Sequence, residues 1–152
     1  MKKLILLVGF LTAGLFSVQA QEIADHALGL RFSHYSGFGG AEFSYQKKLS
    51  GSTRLEADLG LRANNDYSFF KATGLYEWVN PLEDNFNWYL GAGGGLGSGS
   101  NTDLFIFAAG IIGIEYNFDF PLLLSLDFRP ELNLLNGGGF GSDFGLSARY
   151  QF

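Results

Sequence analysis

Apolar and polar side chains alternate one by one along most of this chain, and that period restricts its fold more than any other feature. In the segment 53–62, Leu55 and Leu59 share one parity, whereas Arg54 and Asp58 share the other. Successive side chains of a β-strand point to opposite faces, so the pattern predicts a strand with one apolar and one charged face. Amphipathic runs of helix-forming residues are absent from the sequence.

Eight segments carry this alternation, and most are close to the ~9–11 residues that a tilted strand needs to cross a membrane. The predicted strands are 27–36, 40–48, 53–62, 69–79, 87–96, 104–118, 122–133 and 143–152. The 22 glycines, 16 phenylalanines and 3 prolines are typical of many short strands. No repeat unit or second domain is visible, so the sequence predicts one all-β domain, an eight-stranded antiparallel up-and-down β-barrel.

The first twenty residues have a different character from the rest of the chain. Two lysines precede the apolar run 4–16, and Val18-Gln19-Ala20 has the small-x-small pattern of a cleavage site. The run is too short for a membrane-spanning helix. We therefore predict a signal peptide at 1–20, cleaved after Ala20, and a barrel domain at 21–152; a retained N-terminal anchor is the alternative.

Charge and cysteine content restrict the partners of the exported chain. Without the two lysines of the signal peptide, eight basic residues face fifteen acidic ones, a net charge of −7. Nucleic acid is excluded as a partner, because phosphate binding needs a basic surface. The chain has no cysteine, which rules out disulfides and thiolate zinc sites. We expect no cofactor and no metal.

Alternation does not by itself say which face of the barrel is outside, because a soluble lipocalin-like barrel would turn its apolar face inward. If both termini are periplasmic, the aromatic residues of the apolar face gather at the periplasmic ends of the strands, as in an interfacial girdle. The predicted girdle comprises Tyr45, Tyr76, Trp78, Trp88, Tyr116, Tyr150 and Phe152. This distribution favours a transmembrane barrel with its apolar face toward lipid.

The polar face mixes charged residues with many small ones, as the narrow interior of an eight-stranded barrel requires. Its charges nearly cancel, at six basic against seven acidic residues, and an unpaired buried charge is costly. The predicted interior ion-pair network comprises Arg31, Glu42, Arg54, Glu56, Asp58, Arg62, Lys71, Glu77, Glu115, Asp127, Arg129, Glu131 and Arg149. Chance mixing of charges on a wet surface is the alternative.

The C-terminal segment Ala148-Arg149-Tyr150-Gln151-Phe152 resembles the signal that the barrel-assembly machinery reads. The stretches 75–78, 87–89 and 111–116 resemble segments of uncharacterised barrel families. Over its whole mature length, the chain resembles small bacterial outer-membrane β-barrels of the OmpA-like transmembrane domain class. The resemblance implies an outer-membrane location, contact with lipid and lipopolysaccharide, and recognition of Phe152 during assembly. It implies no assigned activity, and we favour a monomer.

Some details of the strand pattern are less regular. Five bulky apolar residues fall on the inward parity of the fourth and sixth strands. Either the inward–outward phase of the strand slips there or a bulge intervenes. If the phase holds, these residues fill space left by the glycines of the fifth strand. These residues are Leu75, Val79, Phe105, Phe107 and Ile111. We also expect a long periplasmic turn at 80–86, and a salt bridge between Asp127 and Arg149 if the last hairpin turns about residue 138.

Little in the sequence indicates catalysis. His34 and Ser36 share a parity and faintly resemble the His-Ser pair of outer-membrane lipid A deacylases, but the Asn-Ala element that follows in those enzymes is replaced by Gly-Phe. Asp103 and Asp143 fall on neighbouring predicted loops, but their spacing supports no metal site. The sequence therefore favours a non-enzymatic structural or interaction barrel. The alternatives are a lipid-modifying enzyme using His34 and Ser36, or a small-solute pore or ligand-binding barrel.

Overall fold

The computed structural model of the protein describes residues 23–100, 102–135 and 138–152, with the backbone alone at residue 102. Eight strands follow one another along the chain. They are β1 (His26–Tyr35), β2 (Phe38–Lys48), β3 (Thr53–Ala63), β4 (Ser68–Glu83), β5 (Phe86–Gly99), β6 (Thr102–Asn117), β7 (Leu122–Asn133) and β8 (Gly139–Gln151). The predicted signal peptide and its cleavage site lie outside the described residues.

Each strand pairs antiparallel with the next, and β1 pairs with β8 to close the barrel. The closure is completed by two reciprocal backbone hydrogen bonds, in which the amides of His26 and Phe152 each donate to the other's carbonyl, at 3.0 and 2.9 Å. The predicted fold class, an eight-stranded up-and-down barrel, is confirmed. We call the end that holds His26 and Phe152 the terminal end, and the opposite end the distal end.

The described residues contain no helix that has the length and apolarity needed to cross a membrane.

The long turn predicted at 80–86 is wrong, because β4 and β5 extend through most of it. Pro81 pairs with Asn87, the register shifts between Pro81 and Glu83, and the turn itself is tight, with Asp84 at a φ of 47°. A proline is tolerated there because β3 begins opposite Trp78, so Pro81 has a neighbouring strand on one side only. The end of β4 therefore extends past the start of β3 at the terminal end and is paired with β5, which is itself paired with β6.

The last hairpin has a different register from the one expected. The β7–β8 pairing is centred on residue 136 rather than 138, so Asp127 lies opposite Gly145 and Arg149 lies opposite Leu123. The predicted salt bridge between Asp127 and Arg149 is therefore wrong. The strand β8 begins four residues earlier than predicted, and a short difference in loop length moves every cross-strand partner.

The phase of β4 and β6 holds, and the bulky residues of uncertain orientation point into the lumen. Six side chains form one buried apolar cluster there, which we call the apolar cluster: Leu75, Val79, Tyr89, Phe107, Ala109 and Ile111. Glycines of β5 lie beside them, with Gly93 opposite Leu75 and Gly95 opposite Phe107. A Cβ atom at Gly95 would overlap the Phe107 ring, so the missing side chain makes room for the ring.

Candidate functional site: the ion-paired lumen

All thirteen charged residues predicted for the interior are buried in the lumen, each with 3% or less of its surface exposed. They come from seven of the eight strands, all except β5, and their partners lie mostly across the lumen rather than on the neighbouring strand. Strand alternation therefore selects which side chains enter the lumen, but the closed barrel selects which of them meet.

Arg31 is the most connected cation of the distal half of the lumen. Its guanidinium donates to Asp127 at 2.5 Å, to Glu42 at 2.9 Å and to Asp143 at 3.2 Å. The space for this group is provided by Gly145, where an added Cβ atom would overlap the guanidinium. Asp127 thus pairs with Arg31 from β1, because the residue opposite it has no side chain.

Asp143 is a member of this network that the sequence analysis placed on a loop. It is fully buried and lies 3.1 Å from the Arg62 guanidinium and 3.3 Å from the Lys71 ammonium, in addition to Arg31. The expectation that it lies on an outer loop is therefore corrected. The available signal was parity, since Asp143 falls on the same parity of β8 as the inward-facing Arg149.

Lys71 is held by two anions and two aromatic rings. Its ammonium lies 2.5 Å from Glu131 and 3.3 Å from Asp143, and it lies 4.3 Å from the centre of the Tyr35 ring and 5.0 Å from that of Phe107. Cation–π contacts become stronger where water is excluded, so the rings supplement the carboxylates. Lys71 connects the charged network with the apolar cluster.

Two arginines fill the middle of the lumen. Arg129 donates to Asp58 at 2.5 Å and to Glu56 at 3.3 Å, while Arg149 donates to Glu56 at 3.0 Å. Arg149 also donates to the hydroxyls of Ser44 and Ser125, at 2.9 and 2.8 Å. These small polar residues belong to the inward face and were not predicted to bind a particular charge.

Arg54 organises the terminal half of the lumen. Its guanidinium lies 2.6 Å from Glu77 and 2.8 Å from Glu115, and its carbon lies 4.9 Å from the centre of the Tyr89 ring. The Asn87 amide donates to Glu115 at 3.3 Å. One cation therefore connects β3, β4 and β6 through two buried carboxylates.

Removing one partner of a buried ion pair costs far more than the pair contributes, because the remaining charge has lost both water and its counterion. The lumen is therefore a place where single substitutions have large effects. With Asp143 included, six cations face eight carboxylates among the described residues of the lumen.

The outer surface of the barrel is apolar, in contrast to the charged lumen. Large apolar side chains are exposed on every strand, among them Phe43 at 69%, Leu59 at 50% and Phe144 at 58%. Lys47 is on the outward parity of β2, and the exposed Glu83 pairs with the outward-facing Phe86 beyond the register shift; both charged residues lie at the terminal end. A typical soluble monomer exposes apolar patches of a few hundred Å² at most, whereas here large apolar side chains are exposed on all eight strands.

The seven predicted girdle residues lie on the outward face at the terminal end. Tyr76 contacts Trp78 with ring centres 4.9 Å apart, and Tyr116 contacts two phenylalanines that the sequence analysis did not include, Phe86 at 4.7 Å and Phe118 at 4.8 Å. Phe118 falls within the predicted strand 104–118 on the parity of Tyr116, so alternation was a signal for it, although in the structure it follows the last residue of β6.

His34 and Ser36 do not form the pair that their spacing suggested. The strand β1 ends at Tyr35, and Ser36 begins the turn with a φ of 43°, so strand alternation does not extend to it. The Ser36 hydroxyl instead accepts a hydrogen bond from the Ser142 amide at 3.4 Å. Asp103, the other residue considered for a cation, is exposed, and no group of three or more possible metal ligands occurs in the described residues.

The fold and the lumen define a class of protein: a small up-and-down β-barrel with charged side chains inside and apolar side chains outside. No protein-family model matches the chain, and no curated protein matches it in sequence.

Solved structures of small outer-membrane barrels share the fold. Neisserial surface protein A has 14% identity and a TM-score of 0.68, covering 84% of this chain and 96% of that protein. Ail, the attachment invasion locus protein of Yersinia pestis, has 14% identity and a TM-score of 0.59, covering 87% and 99%. OprG of Pseudomonas aeruginosa has 10% identity and a TM-score of 0.59, covering 90% and 99%.

Proposed function

We propose that this protein is a bacterial outer-membrane β-barrel with a structural or interaction role and no catalytic activity. It spans the membrane as a closed, ion-paired cylinder, contacts lipid and lipopolysaccharide with its outer face, and is monomeric. The assembly machinery recognises its C-terminal strand through Phe152. The observation that carries the proposal is the inverted chemistry of the barrel, with charges buried inside and a mainly apolar surface outside.

The outer surface supports the membrane location. Water would have to hydrate exposed leucines and phenylalanines around the whole barrel, whereas acyl chains contact them without cost. A closed barrel also satisfies its backbone groups internally, which is the condition for strands to cross a membrane. The ring of aromatic residues at the terminal end marks the headgroup region of one leaflet.

The lumen supports a closed rather than a conducting cylinder. Ion pairs cross it between strands that are not neighbours, through Arg31 of β1 with Asp127 of β7, Arg129 of β7 with Asp58 of β3, and Arg54 of β3 with Glu115 of β6. An eight-stranded barrel is only wide enough to be filled by side chains. Planar-bilayer recording should therefore give no steps of conductance, and regular single-channel steps would favour a pore instead.

The membrane location is tested by placing a charge on the outer face. Leu59→Arg should reduce the free energy of unfolding in lipid vesicles by about 2–4 kcal/mol, because the charge would enter the hydrocarbon. Leu49→Arg is the matched control, since Leu49 is similarly exposed but lies in the turn between β2 and β3. Equal and small effects of the two substitutions would contradict the membrane location.

The absence of catalysis is tested at His34. His34→Ala should leave the mass spectrum of lipid A unchanged in cells that produce the protein, because Ser36 lies in the turn rather than beside the imidazole on the strand. A mass difference in lipid A that depends on His34 would replace this proposal with a lipid-modifying enzyme.

A further inference from the structure

The segment before β1 returns to the barrel at its terminal end. Ile23 is partly buried and packs against the apolar cluster, whose members all point into the lumen. A chain that left the barrel directly at His26 would not make this contact. Ile23 therefore lies at the mouth of the lumen rather than on the outer wall.

Two further contacts fix this segment at the rim. The Lys48 amide donates to the Asp25 carbonyl at 2.9 Å, and the Lys48 ammonium lies 3.7 Å from the Asp25 carboxylate. The backbone of the segment thus continues the β1–β2 pairing by one step before Ile23 is reached. An anchored backbone makes the burial of an apolar side chain less costly in entropy.

Val79 marks the level of the mouth. It belongs to the apolar cluster, and its amide donates at 2.8 Å to the carbonyl of Ser52, in the turn between β2 and β3. Val79 therefore lies level with the rim on that side of the barrel, and its side chain is buried, with 5% exposed. A side chain at the rim must therefore exclude water from Val79. Ile23 packs on the apolar cluster from outside the strands, which makes it the candidate for this role.

We propose that residues 23–25 form a plug that closes the terminal end of the lumen, with Ile23 as the side chain that excludes water from the apolar cluster. The backbone hydrogen bond from the Lys48 amide to the Asp25 carbonyl holds the plug at the rim. The proposal depends on the fold and not on the membrane location, so it can fail or succeed independently of the proposed function.

The test uses a single cysteine, since the chain has none of its own. Val79→Cys is introduced as a reporter, and its reaction with a water-soluble maleimide is followed in the purified, folded protein in detergent. Asp66→Cys, in the exposed turn between β3 and β4, is the reference for an unprotected thiol. The cysteine at position 79 should react much more slowly than the reference.

Ile23→Ser should then raise the rate at position 79 by about tenfold, because a polar side chain loses the transfer free energy that keeps the plug in place. Leu49→Ser is the matched control, an equivalent change at the same end but outside the lumen, and it should leave the rate unchanged. Gel mobility without boiling checks that each variant is folded. If Ile23→Ser does not fold, Ile23→Ala replaces it, with a smaller increase expected.

Three results would overturn the proposal. The first is a rate at position 79 in the otherwise unchanged chain that equals the rate of the reference thiol. The second is an unchanged rate after substitution of Ile23. The third is an equal increase after Leu49→Ser, which would indicate a general loosening of the barrel end rather than removal of a plug.

Discussion

Two parts of the lumen are filled by different chemistry. On the side of β1, β2 and β8, guanidinium groups reach across the barrel to carboxylates; beside β4, β5 and β6, aliphatic and aromatic side chains pack against neighbouring glycines. Arg31 and Tyr89 represent the two sides, and each occupies space left by a glycine, at Gly145 and Gly113 respectively. The same steric solution therefore supports both an ionic and an apolar filling.

The ionic and apolar sides of the lumen should differ in how much stability a substitution costs. An apolar group that loses a neighbour loses contact area, whereas a charge that loses its partner is left in a medium that cannot solvate it. Substitutions on the ionic side should therefore cost more than sterically similar ones on the apolar side. Each comparison below is measured by chemical unfolding in detergent micelles or lipid vesicles, followed by the fluorescence of the two tryptophans.

The largest effect is expected at Arg31. Arg31→Met should reduce the free energy of unfolding by about 3–5 kcal/mol, because Asp127 has no other ion-pair partner among the described residues. Adding Asp127→Leu should recover part of this loss, since it removes the unpaired charge. If the double variant is as unstable as Arg31→Met, the lost stability comes from packing. The ionic side would then not be more sensitive to substitution because of its charges.

A smaller effect is expected from Gly145→Ala. The new Cβ atom would displace the Arg31 guanidinium from its carboxylates, at a cost of about 2–3 kcal/mol. In the Arg31→Met background the same substitution should cost much less, which a double-mutant cycle would detect. An equal cost in both backgrounds would assign the strain to the backbone of β8 instead.

The smallest effect is expected from Gly113→Ala on the apolar side. Its Cβ atom would overlap the end of the Tyr89 ring, which contacts Arg54 through its face but is not itself a member of an ion pair, so the cost should be about 1–2 kcal/mol. Shortening the ring with Tyr89→Leu should remove most of this cost. A larger loss at Gly113 than at Gly145 would reverse the comparison between the two sides.

Local sequence rules predicted the strands and the direction of most side chains. Alternation assigned thirteen charged residues to the inward parity, and these residues are buried in the structure, because a side chain on a strand has only two directions. It also left Leu75 and Phe107 on the inward face, where the structure has them. These features depend on neighbours within one strand, so they can be inferred from the sequence.

The ion-pair partners could not be predicted in the same way. Asp127 meets Arg31 rather than Arg149 because a hairpin is two residues off the expected centre and because Gly145 leaves an opening for β1. Asp143 was assigned to the loop although the predicted last strand began at that residue; β8 begins at Gly139, so Asp143 lies within the strand. Partner choice depends on loop length and on closure between the first and last strands, and neither is a local property.

The most direct test of the account is the environment of residue 59 in lipid vesicles. A nitroxide spin label on Leu59→Cys should collide often with oxygen, which concentrates in the hydrocarbon, and rarely with a water-soluble nickel complex. Frequent collision with the nickel complex and little with oxygen would place this face in water. That result would contradict a barrel with its apolar surface in the membrane and its ion pairs within.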